Sequence, residues 1–146
     1  MGGPCNSVRG RSGGKEGRVP PACAMDTLLG GHIADAAADV YGQLGGGLSE
    51  AIYQKAMAIA LRQRGCTVDT EVVVPIVFHG SYVGFVRPDL VVNKQVVLEL
   101  KAVTKIVETH LVQLRAYMTW LPPPPPSCER IDSKLLGAVI NFGGSR

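Results

Sequence analysis

Several features that assign a chain to a familiar class are missing from these 146 residues. No apolar run approaches the roughly 18 residues of a membrane-spanning helix, and the first 25 residues lack the apolar core of a signal peptide. These absences predict a soluble, intracellular protein with no membrane partner. The four cysteines form no Cys-x-x-Cys pair, and no histidine lies at zinc-finger spacing from them. The cysteines are therefore expected to be free thiols.

Most of the chain also lacks the excess of basic residues that is typical of DNA-binding proteins. Residues 26–146 carry eleven basic and eleven acidic side chains, so the whole formal charge of +3 lies in residues 1–25. A neutral domain argues mildly against tight nucleic-acid binding, although a local positive groove is compatible with it.

The composition divides the chain into a tail and one domain. Residues 1–25 are rich in glycine, proline and arginine, which predicts a disordered basic tail. The tail is faintly similar to an organelle transit segment, but its many glycines argue against an amphipathic helix. Residues 27–143 are long enough for a single domain with one core. Within them, five consecutive prolines predict a stiff extended loop over 122–133.

Apolar periodicity and turn residues predict two helices, three strands, a helix and a last strand. The predicted helices cover 27–44, 48–64 and 105–121, and the predicted strands cover 68–78, 83–92, 95–103 and 135–142. The last strand is almost continuously apolar and is expected to be buried on both faces. The second helix is expected to bury Leu48, Ile52, Ala56, Ile59 and Ala60. The order α-α-β-β-β-α-β favours an α/β (α+β mixed) fold, with a mixed central β-sheet flanked by helices.

The segment PDLVVNKQVVLELK, residues 88–101, points most directly to chemistry. In a strand, residues i and i+2 point to the same face, so Glu99 and Lys101 lie on one side of the sheet. Asn93-Lys94 is typical of a hairpin turn. A turn of about three residues places Asp89 opposite Glu99. Two carboxylates and one ammonium would then converge on one patch.

These three groups suit a metal-dependent phosphodiester-cutting site. The oxygens of Asp89 and Glu99 are the hard ligands that Mg²⁺ (or Mn²⁺) prefers, and the ion can activate water and stabilise charge on a phosphate. Lys101 would orient that water or neutralise the phosphate. Glu-x-Lys is also common on solvated strand faces, so a structural domain with a salt-bridged strand face is an alternative interpretation.

Further candidates lie outside the hairpin strands. Glu50, in the first turn of the second helix, either stabilises the positive helix start or is a third carboxylate facing the metal site. His110, Gln113 and Tyr117 share one face of the last predicted helix, a pattern also typical of a polar surface with a half-buried tyrosine. Arg87 would either meet a phosphate backbone or pair with a surface acid.

From Ile33 to Phe142 the chain resembles the GxxxxR protein family, a set of small proteins with a PD-(D/E)XK restriction-endonuclease-like core. The resemblance is carried, in the family's order, by IADAAADVYGQLGGGLSEAIYQKAMAIALRQRG, VRPDLVV, VVLELKAV, HLVQLRAYM and GAVINFG. It implies a magnesium-dependent nuclease whose partner is nucleic acid, with DNA favoured. Small nucleases of this superfamily often dimerise to cut two strands, so a homodimer is a further expectation.

The resemblance also implies a role for each matching residue. Asp89 and Glu99 resemble the metal-binding acids, the backbone carbonyl of Leu100 is a further ligand, and Glu50 resembles the first-helix acid that reaches the ion directly or through water. Lys101 resembles the lysine that positions or activates the attacking water.

Two residues of the last helix also match. Gln113 and Tyr117 resemble the Gln-x-x-x-Tyr pair that faces the site in related nucleases, where the glutamine contacts water or phosphate and the tyrosine supports the wall. A non-catalytic scaffold that binds nucleic acid or a protein partner is the alternative function, and the neutral charge of the domain favours it slightly.

Overall fold

A computed structural model describes residues 22–124 and 135–144, with side chains from Leu28 onward. These ranges contain α1 (Ala22–Leu44), α2 (Glu50–Gln63), β1 (Val68–Thr70), β2 (Val74–Phe78), β3 (Ser81–Val86), β4 (Leu90–Val92), β5 (Val96–Lys101), α3 (Glu108–Trp120) and β6 (Leu136–Asn141). The boundary predicted at residue 25 falls inside α1. Residues 1–21 of the tail predicted for residues 1–25, and most of the predicted proline-rich loop, lie outside the described residues.

The central sheet is mixed, and its described strands follow the order β1-β4-β5-β6. β4 pairs antiparallel with both β1 and β5, whereas β6 runs parallel to β5. The helices α1 and α2 share the main core with one face of this sheet, and α3 packs on the other face. The predicted fold class, a mixed sheet flanked by helices, is therefore confirmed.

Two of the predicted strands are each divided in two. The segment 68–78 forms β1 and β2, which separate where Glu71 adopts a φ of 59°. The segment 83–92 separates into β3 and β4 around Pro88, which has no N–H to donate to a ladder. Among the described residues, β2 and β3 pair with each other in a separate antiparallel ribbon. Both breaks fall in short polar segments, Thr70-Glu71 and Arg87-Pro88-Asp89, that the prediction placed within single strands.

The buried face of α2 differs from the predicted one. Ile52 and Ile59, two of the expected core residues, are 44% and 57% exposed. Tyr53, Met57 and Leu61 are fully buried in their place. Ala60 is buried as predicted, and Leu48 and Ala56 pack against the core, so the buried face is shifted toward Tyr53 relative to the prediction.

Tyr53 anchors the start of α2 to the closing segment of the chain. Its ring stacks on that of Phe142, with centroids 4.4 Å apart. Its hydroxyl donates to the Gly45 carbonyl at 2.7 Å and accepts from the Leu48 N–H at 3.2 Å. Both polar contacts are satisfied locally, which makes the burial of this tyrosine favourable.

We expect Tyr53→Phe to lower the free energy of unfolding by about 1–3 kcal/mol, because the variant leaves two partly buried backbone groups without a partner. Urea denaturation measures this change. Tyr41→Phe, at an exposed tyrosine of α1, is the matched control and should change stability by less than about 0.5 kcal/mol. Equal unfolding midpoints for Tyr53→Phe and the wild type would contradict the anchoring role.

The position of β6 overturns one expectation. The strand lies at an edge of the central sheet in the described part of the chain, paired with β5 alone. Leu136 is 43% exposed, and the rest of the strand is exposed or half-buried. The prediction of burial on both faces is therefore wrong, because an apolar strand composition does not specify its place in the sheet order.

Two further expectations concern membrane-spanning helices and the cysteines. No helix within the described ranges is long and apolar enough to cross a membrane. Cys66 carries a free, buried thiol, as predicted. The other three cysteines lie outside the residues whose side chains are described.

Candidate active site

The hairpin of β4 and β5 sets Asp89 beside Glu99. The ladder pairs Leu90 with Leu98, and the same register continued by one residue places the two carboxyl-bearing residues opposite each other. Both residues of the turn Asn93-Lys94 have positive φ angles, of 50° and 54°, as tight hairpin turns require. The turn thus sets the register that the sequence predicted.

Asp89 is half-buried at the start of β4 and is held by the backbone of β5. Its Oδ2 accepts a hydrogen bond from the Leu100 N–H at 2.7 Å. The N–H and C=O of one strand residue point to the same side, so the Leu100 carbonyl is also directed toward this carboxylate. Burial raises the pKa of Asp89, although the Leu100 bond and the Lys101 charge oppose the rise.

Glu99 is the most deeply buried ionisable side chain of the site, at 3% exposure. Its Oε1 accepts a hydrogen bond from Lys101 Nζ at 2.8 Å. Its Oε2 is buried without a hydrogen-bond partner among the described residues. Burial raises the pKa of Glu99, and the bond from Lys101 opposes that rise. An unpaired buried carboxylate oxygen is destabilising, which makes this atom a candidate ligand for a cation.

Lys101 is held between the strand and α3. Besides Glu99, its Nζ donates to Gln113 Oε1 at 3.2 Å, and Gln113 Nε2 donates to the hydroxyl of Tyr117. Burial alone would lower the pKa of Lys101, but the bond to Glu99 and the neighbouring carboxylates outweigh it, so that the pKa is raised. The lysine is therefore a fixed cation, and the predicted Gln-x-x-x-Tyr pair lies in contact with it.

The first turns of α2 reach both strands of the hairpin. Glu50 Oε1 accepts from the Ala102 N–H at 3.2 Å, and Gln54 Nε2 donates to the Asp89 carbonyl at 2.9 Å. These two residues are four apart and so share one helix face. The orientation of α2 that buries Tyr53 thus brings the predicted acid, Glu50, to the border of the site.

Asn141 of β6 and the residues after it hold the backbone segment that follows Lys101. Asn141 Oδ1 accepts from the N–H groups of Val103 and Gly143, and Asn141 Nδ2 donates to the Val103 carbonyl at 2.8 Å. A Cβ on Gly143 would lie 2.3 Å from the Val103 nitrogen, so only glycine fits there. The segment that follows Lys101 is consequently clamped in place.

Two of the sequence candidates lie apart from this cluster. Arg87 Nη1 pairs with Glu71 Oε2 at 3.1 Å, and both side chains are largely exposed. This geometry matches the alternative of a surface ion pair, and phosphate contact by Arg87 stays a prediction. His110 Nδ1 accepts from the Val107 N–H at 3.3 Å, so this histidine caps α3.

Two supporting residues were not recognised as part of the site from the sequence. Gln54 and Asn141 act through backbone groups of distant segments, 35 and 38 residues away, and sequence spacing carries no signal for such contacts. A weak signal existed for Gln54, because it follows Glu50 by four residues on the same helix face.

Asp89 and Glu99 are the residues of this cluster that could hold a divalent metal ion. Among the described residues Glu99 Oε2 has no hydrogen-bond partner, and Asp89 lies opposite Glu99 in the register of the hairpin. No cluster of three or more His, Cys, Asp or Glu side chains close enough to share an ion occurs in the described ranges. Glu50 as a metal ligand, directly or through water, stays a prediction. Mg²⁺ commonly binds through one or two carboxylates and keeps several waters.

A mixed sheet whose central hairpin bears an aspartate, a glutamate and an adjacent lysine defines a nuclease-like class of protein. The comparison with family models agrees, because the model of the PD-(D/E)XK nuclease superfamily matches residues 28–145. The chain belongs to the PD-(D/E)XK nuclease superfamily. Comparisons with curated proteins and with solved structures found no significant match.

Proposed function

We propose that this protein is a nuclease that depends on Mg²⁺ (or Mn²⁺) and hydrolyses phosphodiester bonds of nucleic acid. DNA is the favoured substrate, and the narrower GxxxxR family is the proposed relationship, on the residues quoted above. One observation carries the proposal: the buried, unpaired Glu99 Oε2 lies beside Asp89, with the ammonium of Lys101 fixed on the other oxygen of Glu99. A structural salt bridge does not need the unpaired oxygen.

The proposed metal ligands are Asp89, Glu99 Oε2 and the carbonyl of Leu100, with Glu50 acting through water. The ion would supply Lewis acidity that polarises the phosphate and the attacking water. The protein holds the ligands rigidly, since Asp89 is bonded to the β5 backbone and the Glu50 side chain to Ala102. Such pre-organisation is what an electrostatic active site requires.

Lys101 is proposed to act as a charged donor. Its raised pKa keeps the ammonium protonated at neutral pH, so it serves to orient water or to stabilise charge on a phosphate oxygen. Gln113 fixes the direction of the ammonium and is itself oriented by Tyr117. This chain of contacts supports positioning roles for both α3 residues, and Gln113, in contact with the ammonium, is the one proposed to meet water or phosphate.

The test is cleavage of single-stranded, duplex and branched DNA, and of RNA, at low salt with Mg²⁺ and with Mn²⁺. Metal-dependent cutting by the wild type that Glu99→Gln abolishes would support the proposal and identify the substrate class. Glu108→Gln is the matched control, because Glu108 forms an exposed ion pair with Arg115 on α3. Folded protein that binds nucleic acid but neither cuts it nor binds metal would support the scaffold alternative.

Metal binding has a readout that does not depend on substrate. We expect Mg²⁺ or Mn²⁺ to raise the melting temperature of the wild type, because ligand at 100 times its dissociation constant stabilises the folded state by about 2.7 kcal/mol. Chelation with EDTA should reverse the shift and abolish cutting. Differential scanning fluorimetry measures it, and an equal metal-induced shift in Glu99→Gln would contradict the assigned ligand.

A further inference from the structure

The ribbon of β2 and β3 has an inner face that packs on α3 and an outer face that is exposed. On the inner face, Val74 is buried, and Val86 packs against the cluster that contains Leu114 and Tyr117. Tyr117 also contacts Gln113 in the candidate active site. The ribbon is therefore anchored beside that site, and its outer face has a fixed position relative to it.

The outer face carries two exposed aromatic rings. Phe85 pairs with Pro75, two residues before Val77 on β2, and Val77 itself pairs with Tyr82. Side chains of paired residues lie on the same side of the ribbon, so the two rings share one face. Tyr82 reaches this face because an extra residue, Val83, shifts the register of the ladder. Phe85 and Tyr82 are 56% and 64% exposed.

The core does not account for these aromatic residues. The chain has three phenylalanines, and two of them, Phe78 and Phe85, are more than half exposed on this ribbon. Phenylalanine is among the residues most often found buried, and exposed apolar residues that lie together on a surface commonly mark a binding site.

The spacing of the two rings suits an unpaired base. Residues two apart on one strand face are separated by about 6.6 Å, and the step from Pro75 to Val77 sets this spacing between Phe85 and Tyr82. It is about twice the 3.4 Å rise per nucleotide of a DNA strand, so one base fits between the rings. Stacking of bases on aromatic side chains is a common way to bind single strands.

The charge of the ribbon is compatible with a polyanion. Residues 72–86 contain no acidic side chain, so the ribbon brings no negative charge of its own toward phosphates. The acid that precedes it, Glu71, is paired with Arg87. Aromatic rings without neighbouring acids are the combination that stacking on nucleic acid requires.

We propose that Tyr82 and Phe85 form a platform that stacks on unpaired bases of the DNA substrate, a step that rests on the proposed function. Phe85 precedes Asp89 by four residues, which span at most about 14 Å. Pro88, between them, is fully buried. A base on the platform is thus within a few nucleotides of a phosphate at Asp89. The bases of a duplex are already stacked and paired, so the platform selects single-stranded DNA.

Fluorescence anisotropy in EDTA, with a short labelled single strand of mixed sequence, measures this binding without cutting. We expect the wild type to bind the single strand more tightly than a duplex of the same length. Phe85→Ala should bind the single strand about 5- to 150-fold more weakly, the range found when a stacking ring is removed. Phe85→Tyr keeps the ring and should bind like the wild type.

Two further variants complete the set. Phe78→Ala is the matched control, because Phe78 is equally exposed but pairs with Ser81 on the other side of the ribbon, and it should leave binding unchanged. Tyr82→Ala, at the second ring, should weaken binding in the same way and covers the case in which Phe85→Ala does not fold. Equal affinity of the wild type and both ring variants for the single strand would overturn the proposal.

An abasic strand and a salt series separate stacking from other contacts. Phe85→Ala should bind an abasic strand as the wild type does, since no base is present to stack. It should also keep the wild-type salt dependence, because no phosphate contact is removed. An equal loss of affinity on the abasic strand would overturn the proposal. So would a Phe85→Ala variant that loses self-association or vesicle binding but keeps its affinity for DNA, since the face would then bind protein or lipid.

Cleavage assays distinguish this proposal from the proposed function. If the wild type and Phe85→Ala bind and cut single-stranded DNA equally well, the platform is wrong and the nuclease activity stands. If binding of single-stranded DNA depends on Phe85 but no substrate is cut with either metal, the platform stands and the nuclease activity is wrong.

Discussion

Asp89→Asn is expected to abolish metal-dependent cutting and to make the protein more stable. The amide oxygen can still accept the hydrogen bond from Leu100, but it carries no charge for the ion. Loss of one such preorganised charge-stabilising group lowers the cleavage rate by about 10²–10³-fold. Relief of a half-buried charge at an active site raises the free energy of unfolding by roughly 0.5–2 kcal/mol.

The gain in stability of Asp89→Asn over the wild type depends on pH. Burial raises the pKa of Asp89 in the folded protein above the ordinary 3.8, so the folded state binds a proton more tightly than the unfolded state. The wild type therefore gains stability as the pH falls through the raised pKa. Asp89→Asn does not titrate, so its advantage is largest at neutral pH and disappears below the ordinary value.

Thermal melts without metal between pH 3 and pH 8, with cleavage assays at neutral pH, measure both effects. Asp69→Asn is the matched control: Asp69 pairs with Lys94 at an exposed site, so its removal should change stability by at most about 1 kcal/mol and leave cutting intact. A variant at Asp89 that cuts at the wild-type rate would exclude this residue from the site.

Lys101→Ala is expected to lose cutting by about 10²–10³-fold while still binding the metal, because the variant removes a donor to the phosphate or water and no metal ligand. It is also expected to destabilise the metal-free protein. The Lys101–Glu99 pair is almost fully buried, with side-chain exposures of 12% and 4%. Removal of one partner from a buried pair costs about 3–5 kcal/mol.

The loss of stability in Lys101→Ala depends on pH and on bound metal. Burial already raises the pKa of Glu99, and the lysine opposes that rise, so without Lys101 the carboxyl protonates at a still higher pH. A neutral carboxyl needs no cation, and the deficit in stability therefore shrinks as the pH falls through the raised pKa. Bound Mg²⁺ should likewise restore part of the lost stability, because it replaces the missing positive charge.

Urea unfolding in EDTA and in Mg²⁺, at neutral and acidic pH, separates these contributions. Lys55→Ala, at an exposed lysine of α2, is the control and should leave both stability and cutting close to those of the wild type. If Lys101→Ala matched the wild type in stability in EDTA, the buried ion pair would not hold Glu99 in the way described.

The hairpin could be predicted because its determinants are local. Asn93 and Lys94 specify a tight turn, and the two-residue period of a strand then decides which side chains lie opposite each other and which share a face. Asp89 opposite Glu99, and Lys101 beside Glu99, follow from positions within fourteen residues. Their predicted catalytic roles now depend on the cleavage and metal-binding measurements.

The sequence predictions were wrong where one residue pattern is compatible with more than one tertiary arrangement. The apolar residues of α2 form two adjacent stripes, and packing against α1, the central sheet and Phe142 buries the one that contains Tyr53. The strand breaks at Glu71 and Pro88 fall in short polar segments between apolar ones, and which segments pair with each other decides that the strands separate there. The edge position of β6 depends on which strands pair, a choice that its own composition does not record.

By itself, the sequence determined the fold class, the order of the helices and the core strands, and the convergence of two carboxylates and a lysine on one strand face, because turn chemistry and side-chain periodicity act over a few residues. The tertiary structure alone decided which face of α2 meets the hairpin and, among the described residues, that one oxygen of Glu99 has no hydrogen-bond partner and that β6 lies at an edge of the central sheet. These features depend on packing and on pairing between segments distant in the chain, where burial and hydrogen-bond partners are set only once the whole domain has formed.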